Sequence, residues 1–263
     1  EVCLASSGPG ATNLVTAIAD AKLDSIPIIA LTGQVPLSMI GTDAFQEVDT
    51  YGMTIPITKH NFLVRSAKDL LEVIPAAFRI AMSDRPGPVL VDVPKDVQNQ
   101  MVSFDAYPDV VLPDAAPTFD IAAVEEAAKM IEAAERPVLY LGGGVIHSGA
   151  AAMAVTLAEQ ASLPTTMTLM ALGAMPMDHP LAIGMLGMHG ARYTNYVLEE
   201  ADLLICVGAR FDDRAIGKTA EFCPNAKIIH IDIDRSELHK VKDAHVAIAG
   251  DVGQVLAELL PRV

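Results

Sequence analysis

Three clusters in the second half of the sequence have residue types that suit a nucleotide. Gly142-Gly143-Gly144 follows an apolar run, and glycine lets a ligand approach the backbone closely. Gly208-Ala209-Arg210 ends a second apolar run, where an arginine can meet a diphosphate. Asp232 and Asp234 end a third, where a carboxylate often receives a ribose hydroxyl or an adenine amine. Each could be an ordinary turn or a solvated surface group, but three together predict a nucleotide site.

A second candidate site lies in the first half, in a loop that contains Gln34-Val35-Pro36 and Met39-Ile40-Gly41-Thr42-Asp43-Ala44-Phe45-Gln46-Glu47. The loop follows an apolar run over residues 26–33 that predicts a buried strand. Loops at the carboxyl ends of parallel strands commonly carry the chemistry of α/β proteins. Gln46 is a neutral amide that can hydrogen-bond a ligand without adding charge, although a solvated loop glutamine is the ordinary alternative.

The elements that must position these residues alternate between strand and helix. Apolar runs predict buried strands over residues 2–5, 26–33, 89–93, 138–141, 165–168, 203–207, 228–233 and 246–249. Helical periodicity predicts helices over residues 70–81, 121–134, 150–161, 192–200 and 252–260. A further helix is predicted after Gly8-Pro9-Gly10, with Thr12 or Asn13 as its N-cap. This βαβα order predicts an α/β fold with a doubly wound parallel sheet.

The sequence is predicted to form one and a half domains of this kind. Periodicity is lost over residues 98–118, where Pro108, Pro113 and Pro117 occur. We interpret this stretch as a linker. It separates half of one α/β domain, residues 1–97, from a complete Rossmann-like nucleotide-binding domain, residues 119–263.

Composition narrows the classes of partner. Of the 263 residues 51% are apolar and 19% charged, which predicts a sizeable core, and the net charge is −15. An acidic surface repels phosphate backbones, so nucleic acid is excluded as a partner. No apolar run approaches the length of a bilayer span, so no membrane partner is predicted. Three cysteines predict free thiols in a reducing compartment, and Cys3 and Cys206 are expected in the core. The histidines show no metal-ligand spacing.

Five ordered blocks of the sequence resemble acetohydroxyacid synthase (acetolactate synthase), the thiamine-diphosphate enzyme that starts branched-chain amino-acid synthesis, isoleucine and valine included. Two are the Gln34–Glu47 loop and the upstream segment Ser7-Gly8-Pro9-Gly10-Ala11-Thr12-Asn13. The other three are Arg85-Pro86-Gly87-Pro88-Val89 with Asp92-Val93-Pro94-Lys95-Asp96, then Leu186-Gly187-Met188-His189-Gly190, then Gly208-Ala209-Arg210-Phe211-Asp212-Asp213-Arg214. The resemblance covers nearly the whole chain.

The resemblance also implies an internal fragment of a catalytic subunit about twice as long. The family has a pyrimidine-contacting glutamate near its amino terminus and a Gly-Asp-Gly…Asn segment that holds Mg²⁺ and the diphosphate. This sequence opens inside a predicted strand, and its one Gly-Asp pair, Gly250-Asp251, lacks both the second glycine and the asparagine. Residues 1–97 would be the second half of the thiamine pyrimidine-binding domain. No metal ligand is predicted here, and the chain alone is expected to be inactive.

The family's middle domain holds FAD in a role without net redox chemistry. Residue by residue, the resemblance implies flavin contacts at Arg85, Gly142, Gly143, Gly144, Thr168, Leu169, Met170, Leu186, Gly187, Met188, His189, Gly208, Ala209, Arg210, Asp212, Arg214, Asp232, Ile233, Asp251 and Val252. Family members often have glutamate at the position of Asp232, so the bond there is expected to be less close.

The resemblance assigns the thiamine side of the site to the first half of the chain. Pro9 and Asn13 would contact thiamine diphosphate, and Gln46 would bond its aminopyrimidine or a substrate oxygen. Phe45 would form an apolar wall, and Lys95 would line the entry path and attract a keto-acid carboxylate. Arg214 would meet the anionic substrate, with Met188 packed beside it.

The implied reaction is decarboxylation of pyruvate and condensation with a second pyruvate or with 2-ketobutyrate. The implied setting is a cytoplasmic homodimer or higher homo-oligomer, with a regulatory subunit as a further partner. Two alternatives stay open at this point. One is a sister thiamine-diphosphate enzyme, such as glyoxylate carboligase or a pyruvate oxidase. The other is a non-enzymatic nucleotide-binding module, because fold alone does not determine function.

Overall fold

The computed structural model describes residues 1–263, which divide into two compact units, Glu1–Ala115 and Ala116–Val263. Each unit is built on one parallel sheet. Residues 99–120 contain no helix or strand, and the boundary between the units falls among them. No helix combines the length and apolar character that a bilayer span requires.

The first unit has a four-stranded sheet. Its strands are β1 (Val2–Ala5), β2 (Ile29–Gln34), β3 (His60–Leu63) and β4 (Val89–Pro94), in the spatial order β1-β2-β4-β3. Its helices are α1 (Pro9–Thr12), α2 (Val15–Leu23), α3 (Thr50–Thr54), α4 (Leu70–Met82) and α5 (Lys95–Gln98). Side chains of β4 alternate between two cores, since Val89 and Val91 pack with α4 while Leu90 packs with Ile18 of α2.

The second unit has a six-stranded sheet. Its strands are β5 (Pro137–Leu141), β6 (Thr165–Met167), β7 (Ala182–Met185), β8 (Leu203–Val207), β9 (Lys227–Asp232) and β10 (Val246–Ala249). Its helices are α6 (Ile121–Ala133), α7 (Gly143–His147), α8 (Ala151–Gln160), α9 (Arg192–Glu200), α10 (Asp213–Ile216) and α11 (Val252–Leu259). The spatial order is β10-β9-β8-β5-β6-β7, and every pair is parallel.

The second sheet is covered on both faces, which confirms the predicted doubly wound α/β fold. Leu139 and Leu141 of β5 belong to a core with side chains of α6, α8 and α11. Val138 and Tyr140 of the same strand belong to a separate core that includes Leu198 of α9. Successive side chains of one strand therefore pack into two apolar layers on opposite faces, as in sheets with helices on both sides.

Three local predictions are wrong. Neither Thr12 nor Asn13 caps a helix start: Pro9 begins α1 directly after Gly8, so Asn13 stands at the C-cap of α1. Strand β1 is not buried, because it pairs only with β2 at the sheet edge, and Leu4 is 77% exposed. Strand β2 begins at Ile29 rather than residue 26. Pro27 lies among the predicted strand residues 26–28 that do not join β2, and it has no N–H to donate to a neighbouring strand.

Candidate cofactor-binding sites

The predicted nucleotide-binding segments of the second unit meet at the carboxyl end of one sheet. The chain runs outward from β5 to β7, then returns to β8 and runs to β10 on the other side. The order therefore reverses between β5 and β8, and a crevice at such a switch point is where open α/β sheets bind ligands. Gly142 and Gly208 follow these two strands. The N–H of Gly142 donates to the carbonyl of Val207 at 2.9 Å.

The glycines at this switch point are needed for contact between two loops of the protein. A Cβ on Gly142 would lie 2.2 Å from the carbonyl oxygen of Gly208 and 2.4 Å from Cα of Ala209. A Cβ on Gly144 would lie 2.7 Å from Cα of Gly208. Gly143 is different, because its Cβ would meet only side-chain carbon closely, at 3.2 Å from Cβ of Met170. The close approach that the sequence suggested for a ligand is therefore also made by the chain itself.

Thr168 carries an unsatisfied polar atom at this end of the sheet. It follows β6, and its N–H donates to the carbonyl of Leu141 at 2.9 Å. Its Oγ1 is buried and has no hydrogen-bond partner within the chain. The next two side chains, Leu169 and Met170, are 71% and 39% exposed. Because buried hydroxyls are normally paired, this unpaired oxygen is suited to a hydrogen bond with a bound ligand.

The loop over residues 186–190 packs its backbone against α10. A Cβ on Gly187, whose φ is +80°, would lie 2.3 Å from the carbonyl oxygen of Arg214. Asn195 of α9 fixes the same glycine, accepting from its N–H at 2.9 Å and donating to its carbonyl at 3.1 Å. The structure thus brings the segment with Met188 beside the short helix that carries Arg214. The Arg214 side chain is exposed, with Nε 3.8 Å from a carboxylate oxygen of Asp213.

Several side chains predicted to contact the flavin form hydrogen bonds within the chain. Asp212 caps α10 by accepting from the N–H groups of Arg214 and Ala215 at 2.9 and 3.1 Å. Asp251 caps α11 through the N–H of Gln254 at 3.0 Å. The buried Asp232 accepts from the N–H of Asp234 at 2.8 Å. Among the remaining predicted contacts, three are buried: Leu186, Ala209 and Val252. Two are half-buried, Ile233 and Arg210, and His189 is exposed.

A buried set of side chains holds the loop that bears Arg210. The carbonyl of Ala209 lies 3.0 Å from Nε2 of His230 and accepts from Sγ of Cys206 at 3.2 Å. The carbonyl of Arg210 accepts from the hydroxyl of Tyr140 at 3.1 Å. Burial lowers the pKa of His230 and raises the pKa of Cys206 well above its ordinary value. The imidazole is therefore neutral at physiological pH. With Nε2 as the donor, it holds the carbonyl of Ala209 in place through a hydrogen bond.

The loop over residues 35–48 of the first unit, the Gln46 loop, packs against the turn before α1. Gly8 has φ +57°, and a Cβ there would lie 2.7 Å from the carbonyl oxygen of Gln46 and 2.9 Å from its Cα. Gln46 itself has φ +60°, an uncommon conformation for a residue with a side chain. The side chains of Pro9, Asn13 and Gln46 are exposed, and Phe45 is 88% exposed. The predicted thiamine-side residues Pro9 and Gln46 therefore lie on adjoining backbone segments.

Glu47 shapes the tip of this loop. Its carboxylate accepts from the N–H groups of Gly41, of Thr42 at 3.3 Å and of Ala44 at 3.0 Å. These backbone donors, with Gly41 first, lower the pKa of Glu47. The carboxylate thus stays ionised and keeps the segment before Phe45 curled around it. The sequence included Glu47 in the loop motif but gave it no role.

Lys95 and Arg85 lie at opposite ends of the first sheet. Lys95 is exposed at the start of α5, after the carboxyl end of β4, and the neighbouring Asp96 accepts from the N–H of Leu37 at 3.1 Å. Arg85 precedes β4 and donates to Oγ of Ser25 at 2.8 Å and to the carbonyl of Leu23 at 3.2 Å. Within its unit the structure therefore separates Arg85 from the Gln46 loop, and its flavin contact stays a prediction.

Two family models match this chain. The model described as "Thiamine pyrophosphate enzyme, central domain" matches residues 124–259, more than half of the chain. The model described as "Thiamine pyrophosphate enzyme, N-terminal TPP binding domain" matches residues 1–53. The chain belongs to the thiamine pyrophosphate enzymes. Thiamine pyrophosphate is the same cofactor as thiamine diphosphate, so membership supports that cofactor for the first unit.

Similar curated proteins carry a more specific name. The chain is 67% identical over 262 residues to "Acetolactate synthase isozyme 1 large subunit" of Escherichia coli, covering 100% of this chain and 46% of that protein. It is 51% identical over 261 residues to the acetolactate synthase large subunit of Corynebacterium glutamicum, covering 98% and 42%. A probable acetolactate synthase large subunit of Methanocaldococcus jannaschii is 51% identical over 264 residues, covering 98% and 45%. The resemblance found in the ordered blocks is confirmed, and the chain spans about half the length of these relatives.

This thiamine pyrophosphate enzyme has a buried carboxyl group to which the sequence assigned no role. Asp92 on β4 is 1% exposed; its Oδ1 accepts from the hydroxyl of Thr32 at 2.7 Å, and its Oδ2 accepts from Nε2 of Gln34 at 3.0 Å. Burial raises its pKa from 3.8 to about 6, Thr32 and Gln34 oppose that rise, and the charge of Asp49 adds to it. Asp92 is the first residue of the Asp92-Val93-Pro94-Lys95-Asp96 segment of the resemblance, but the resemblance gave it no role of its own.

Asp92 should make the stability of the first unit depend on pH. The folded state keeps the proton of this carboxyl up to about pH 6, whereas the unfolded chain releases it near 3.8. The contribution of Asp92 to the free energy of unfolding is therefore largest below pH 4. It falls by on the order of 3 kcal/mol as the pH rises to 6. Relative to wild type, Asp92→Asn should become more stable between pH 4 and 7 in urea unfolding. A difference that stays constant over this range would contradict the assignment.

Proposed function

We propose that this chain is part of an acetolactate synthase large subunit, which decarboxylates pyruvate and condenses it with a second pyruvate or with 2-ketobutyrate. The observation that carries the proposal is the 67% identity over 262 residues to the Escherichia coli isozyme 1 large subunit. The names of the relatives favour a synthase over the sister enzymes and over a non-enzymatic nucleotide-binding module. We further propose a cytoplasmic homodimer or higher homo-oligomer that associates with a regulatory subunit.

The thiamine side of the proposed site rests on neutral and apolar groups of the first unit. Thiamine diphosphate, when bound, supplies the electron sink for decarboxylation of a 2-keto acid. The exposed amides of Gln46 and Asn13 can donate and accept hydrogen bonds to an aminopyrimidine or a substrate oxygen without adding charge. Phe45, 88% exposed, offers an apolar wall that excludes water from a neighbouring ligand.

Cations of the chain are proposed to bind the keto-acid carboxylate. The chain has 18 lysines and arginines against 33 acidic residues, so an anion needs a locally positive group. Lys95 carries an exposed ammonium at the carboxyl end of the first sheet, suited to attract the anion as it enters. Arg214 carries an exposed guanidinium that can hold a carboxylate with two hydrogen bonds. Mg²⁺ is proposed for the whole enzyme, but no group of three or more His, Cys, Asp or Glu side chains in this chain could hold it.

FAD is proposed as the ligand of the crevice at the carboxyl end of the second sheet. Thr168 supports it with an unpaired hydroxyl, and Gly143, Met170 and Arg210 lie on the segments that directly follow β5, β6 and β8. The flavin is proposed to stabilise the fold and to take no part in net electron transfer. Bound FAD should resist displacement by NAD, because the site is proposed to hold the flavin end as well as the nucleotide.

Titration of the purified chain with FAD tests this part of the proposal. Thr168→Val should weaken FAD binding by about 2- to 10-fold, the worth of one hydrogen bond, without loss of stability. Thr166→Val is the matched control, since its hydroxyl donates to the carbonyl of Gly184 at 2.9 Å. That variant should lose stability and keep its FAD affinity. Preferential binding of ADP or NAD, or equal FAD affinity in both variants, would contradict the assignment.

A chimaera tests the proposed activity. This chain would replace the matched 262 residues of the Escherichia coli isozyme 1 large subunit. With thiamine diphosphate, Mg²⁺ and FAD, the purified chimaera should form acetolactate from pyruvate. A folded chimaera that binds thiamine diphosphate and forms no acetolactate would overturn the proposal, with the unaltered Escherichia coli subunit as the positive control.

A further inference from the structure

The side chain of Gln34 joins both ends of the Gln46 loop. It is 6% exposed at the end of β2. Its Oε1 accepts from the N–H of Val35, where the loop begins, at 2.9 Å. Its Nε2 donates to the carbonyl of Val48, where the loop ends, at 2.9 Å. The amide orientation is fixed by this pattern, because a flipped amide would point donors at a donor and an oxygen at a carbonyl.

Asp92 anchors this amide to the centre of the sheet. The second proton of Nε2 goes to Oδ2 of Asp92 at 3.0 Å, and Thr32 donates to Oδ1 at 2.7 Å. Thr32 and Gln34 lie on β2 and Asp92 on β4, the two central strands of the first sheet. All three side chains are at most 6% exposed. The loop ends are therefore tied to buried side chains at the centre of the sheet rather than to the surface of the unit.

We infer that Gln34, anchored by Asp92, is a positioning residue that closes the loop over residues 35–48 and thereby holds Phe45 and Gln46 in place. The inference rests on the proposed function for the roles of those two residues. The inference gives a role to Gln34, the first residue of the loop motif, which has none in the proposed function.

Few other bonds could replace this clamp. The carboxylate of Glu47 binds N–H groups of residues 41–44, so it ties the tip only to itself. Asp96 holds the early part of the loop through the N–H of Leu37 at 3.1 Å. The seat of Gln46 on Gly8 is a van der Waals contact. The bond from Gln34 to the carbonyl of Val48 thus closes the loop after the two functional residues.

Loop mobility can be measured on the 263-residue chain, which has no tryptophan. Phe45→Trp places a single fluorescent reporter on the loop. Adding Gln34→Met keeps the length of the side chain and removes all three bonds, so the fluorescence anisotropy of Trp at this position should fall. Asn61→Leu is the matched control. Its buried amide donates to the carbonyl of Tyr51 at 2.6 Å and to Oγ1 of Thr54 at 3.1 Å, both outside the loop. It should cost stability and leave the anisotropy unchanged.

Two further variants keep the test decisive if Gln34→Met does not fold. Asp92→Asn should retain the anisotropy, because Asn can accept from Gln34 while donating to the hydroxyl of Thr32. Gln34→Glu sets a carboxylate against Asp92, the carbonyl of Val48 and the nearby Asp49. Two buried carboxyls this close share one proton, and the burial of Asp92 already raises its pKa to about 6. The loop should therefore be mobile at alkaline pH, where both carboxyls are ionised, and should tighten as the pH falls and the pair takes up a proton. In Gln34→Glu an anisotropy that does not change with pH, or in Asp92→Asn a mobile loop, would overturn the inference.

Activity in the chimaera, without the tryptophan reporter, separates positioning from plain stability. Gln34→Met should lower kcat for acetolactate formation by about 10-fold or more with a smaller change in KM, since displaced groups lose alignment before they lose binding. Asn61→Leu and Asp92→Asn should retain kcat. Equal kcat in Gln34→Met and wild type, with both folded, would overturn the inference. If the wild-type chimaera forms no acetolactate, the proposed function fails, while the anisotropy of the chain still decides whether the clamp exists.

Discussion

Replacing Gly8 by alanine should lower acetolactate formation in the chimaera by about 100-fold, because the new methyl group would push Gln46 out of place. The added Cβ would lie 2.7 Å from the carbonyl oxygen of Gln46 and 2.9 Å from its Cα, and both are backbone atoms that cannot rotate away. The loop must therefore shift by a distance comparable to the overlap. The fall should appear mainly in kcat, measured under saturating pyruvate and cofactors.

Gly41→Ala is the matched control for this prediction. Gly41 lies in the same loop and also has a positive φ, +81°, so alanine there adds backbone strain to the loop, whereas alanine at Gly8 (φ +57°, ψ −115°) adds both strain and overlap. A Cβ on Gly41 would have nothing within 4 Å. Strain of this kind costs about 1–2 kcal/mol of stability without moving Gln46. Comparable losses of kcat in the two variants would show that strain, and not the seat of Gln46 on Gly8, limits activity.

Gly142→Ala should destabilise the second unit by about 3 kcal/mol or more, the upper range for overpacking a close contact. The new methyl group would meet the carbonyl oxygen of Gly208 at 2.2 Å and Cα of Ala209 at 2.4 Å. The loops after β5 and β8 would have to separate, and the hydrogen bond from the Gly142 N–H to Val207 would be strained. Urea unfolding followed by circular dichroism measures the loss, and FAD affinity should fall with it.

The neighbouring glycine provides the control. In Gly143→Ala the methyl group would come no closer than 3.2 Å to any neighbouring atom, Cβ of Met170, which sits on a short surface helix. A shift of a few tenths of an ångström relieves that contact, so the loss of stability should stay below about 1 kcal/mol. Equal losses at the two positions would refute the claim that packing between the two loops requires glycine at Gly142.

Patterns that repeat along the chain allowed most of the fold to be predicted. The alternation of apolar runs with helical periodicity placed β5, β8, β9 and α11 close to their observed bounds, because both faces of the second sheet are apolar. Two strands were missed. Strand β3 begins with His60-Asn61, and β7 contains Gly184 at φ +79° beside a register shift, so neither is a clean apolar run.

Contacts between distant segments could not be predicted from local pattern. The sequence indicated that Gly142 and Gly208 both follow strands, but nothing local shows that their backbones touch. The bonds from Asn195 to Gly187 join a helix face to a loop with no motif linking them. The same holds for the carboxyl of Asp92, whose importance depends on burial between Thr32 and Gln34. These features arise when strands far apart in sequence become neighbours in the sheet.

The central claim is that this chain serves a carboligating synthase, and one anaerobic experiment on the chimaera tests it most directly. The purified chimaera, loaded with thiamine diphosphate, Mg²⁺ and FAD, is mixed with pyruvate while acetolactate and the flavin absorbance are followed together. We expect acetolactate to accumulate while the flavin stays oxidised through many turnovers. Reduction of the flavin in step with pyruvate consumption, without acetolactate, would instead indicate an oxidase and overturn the proposed function.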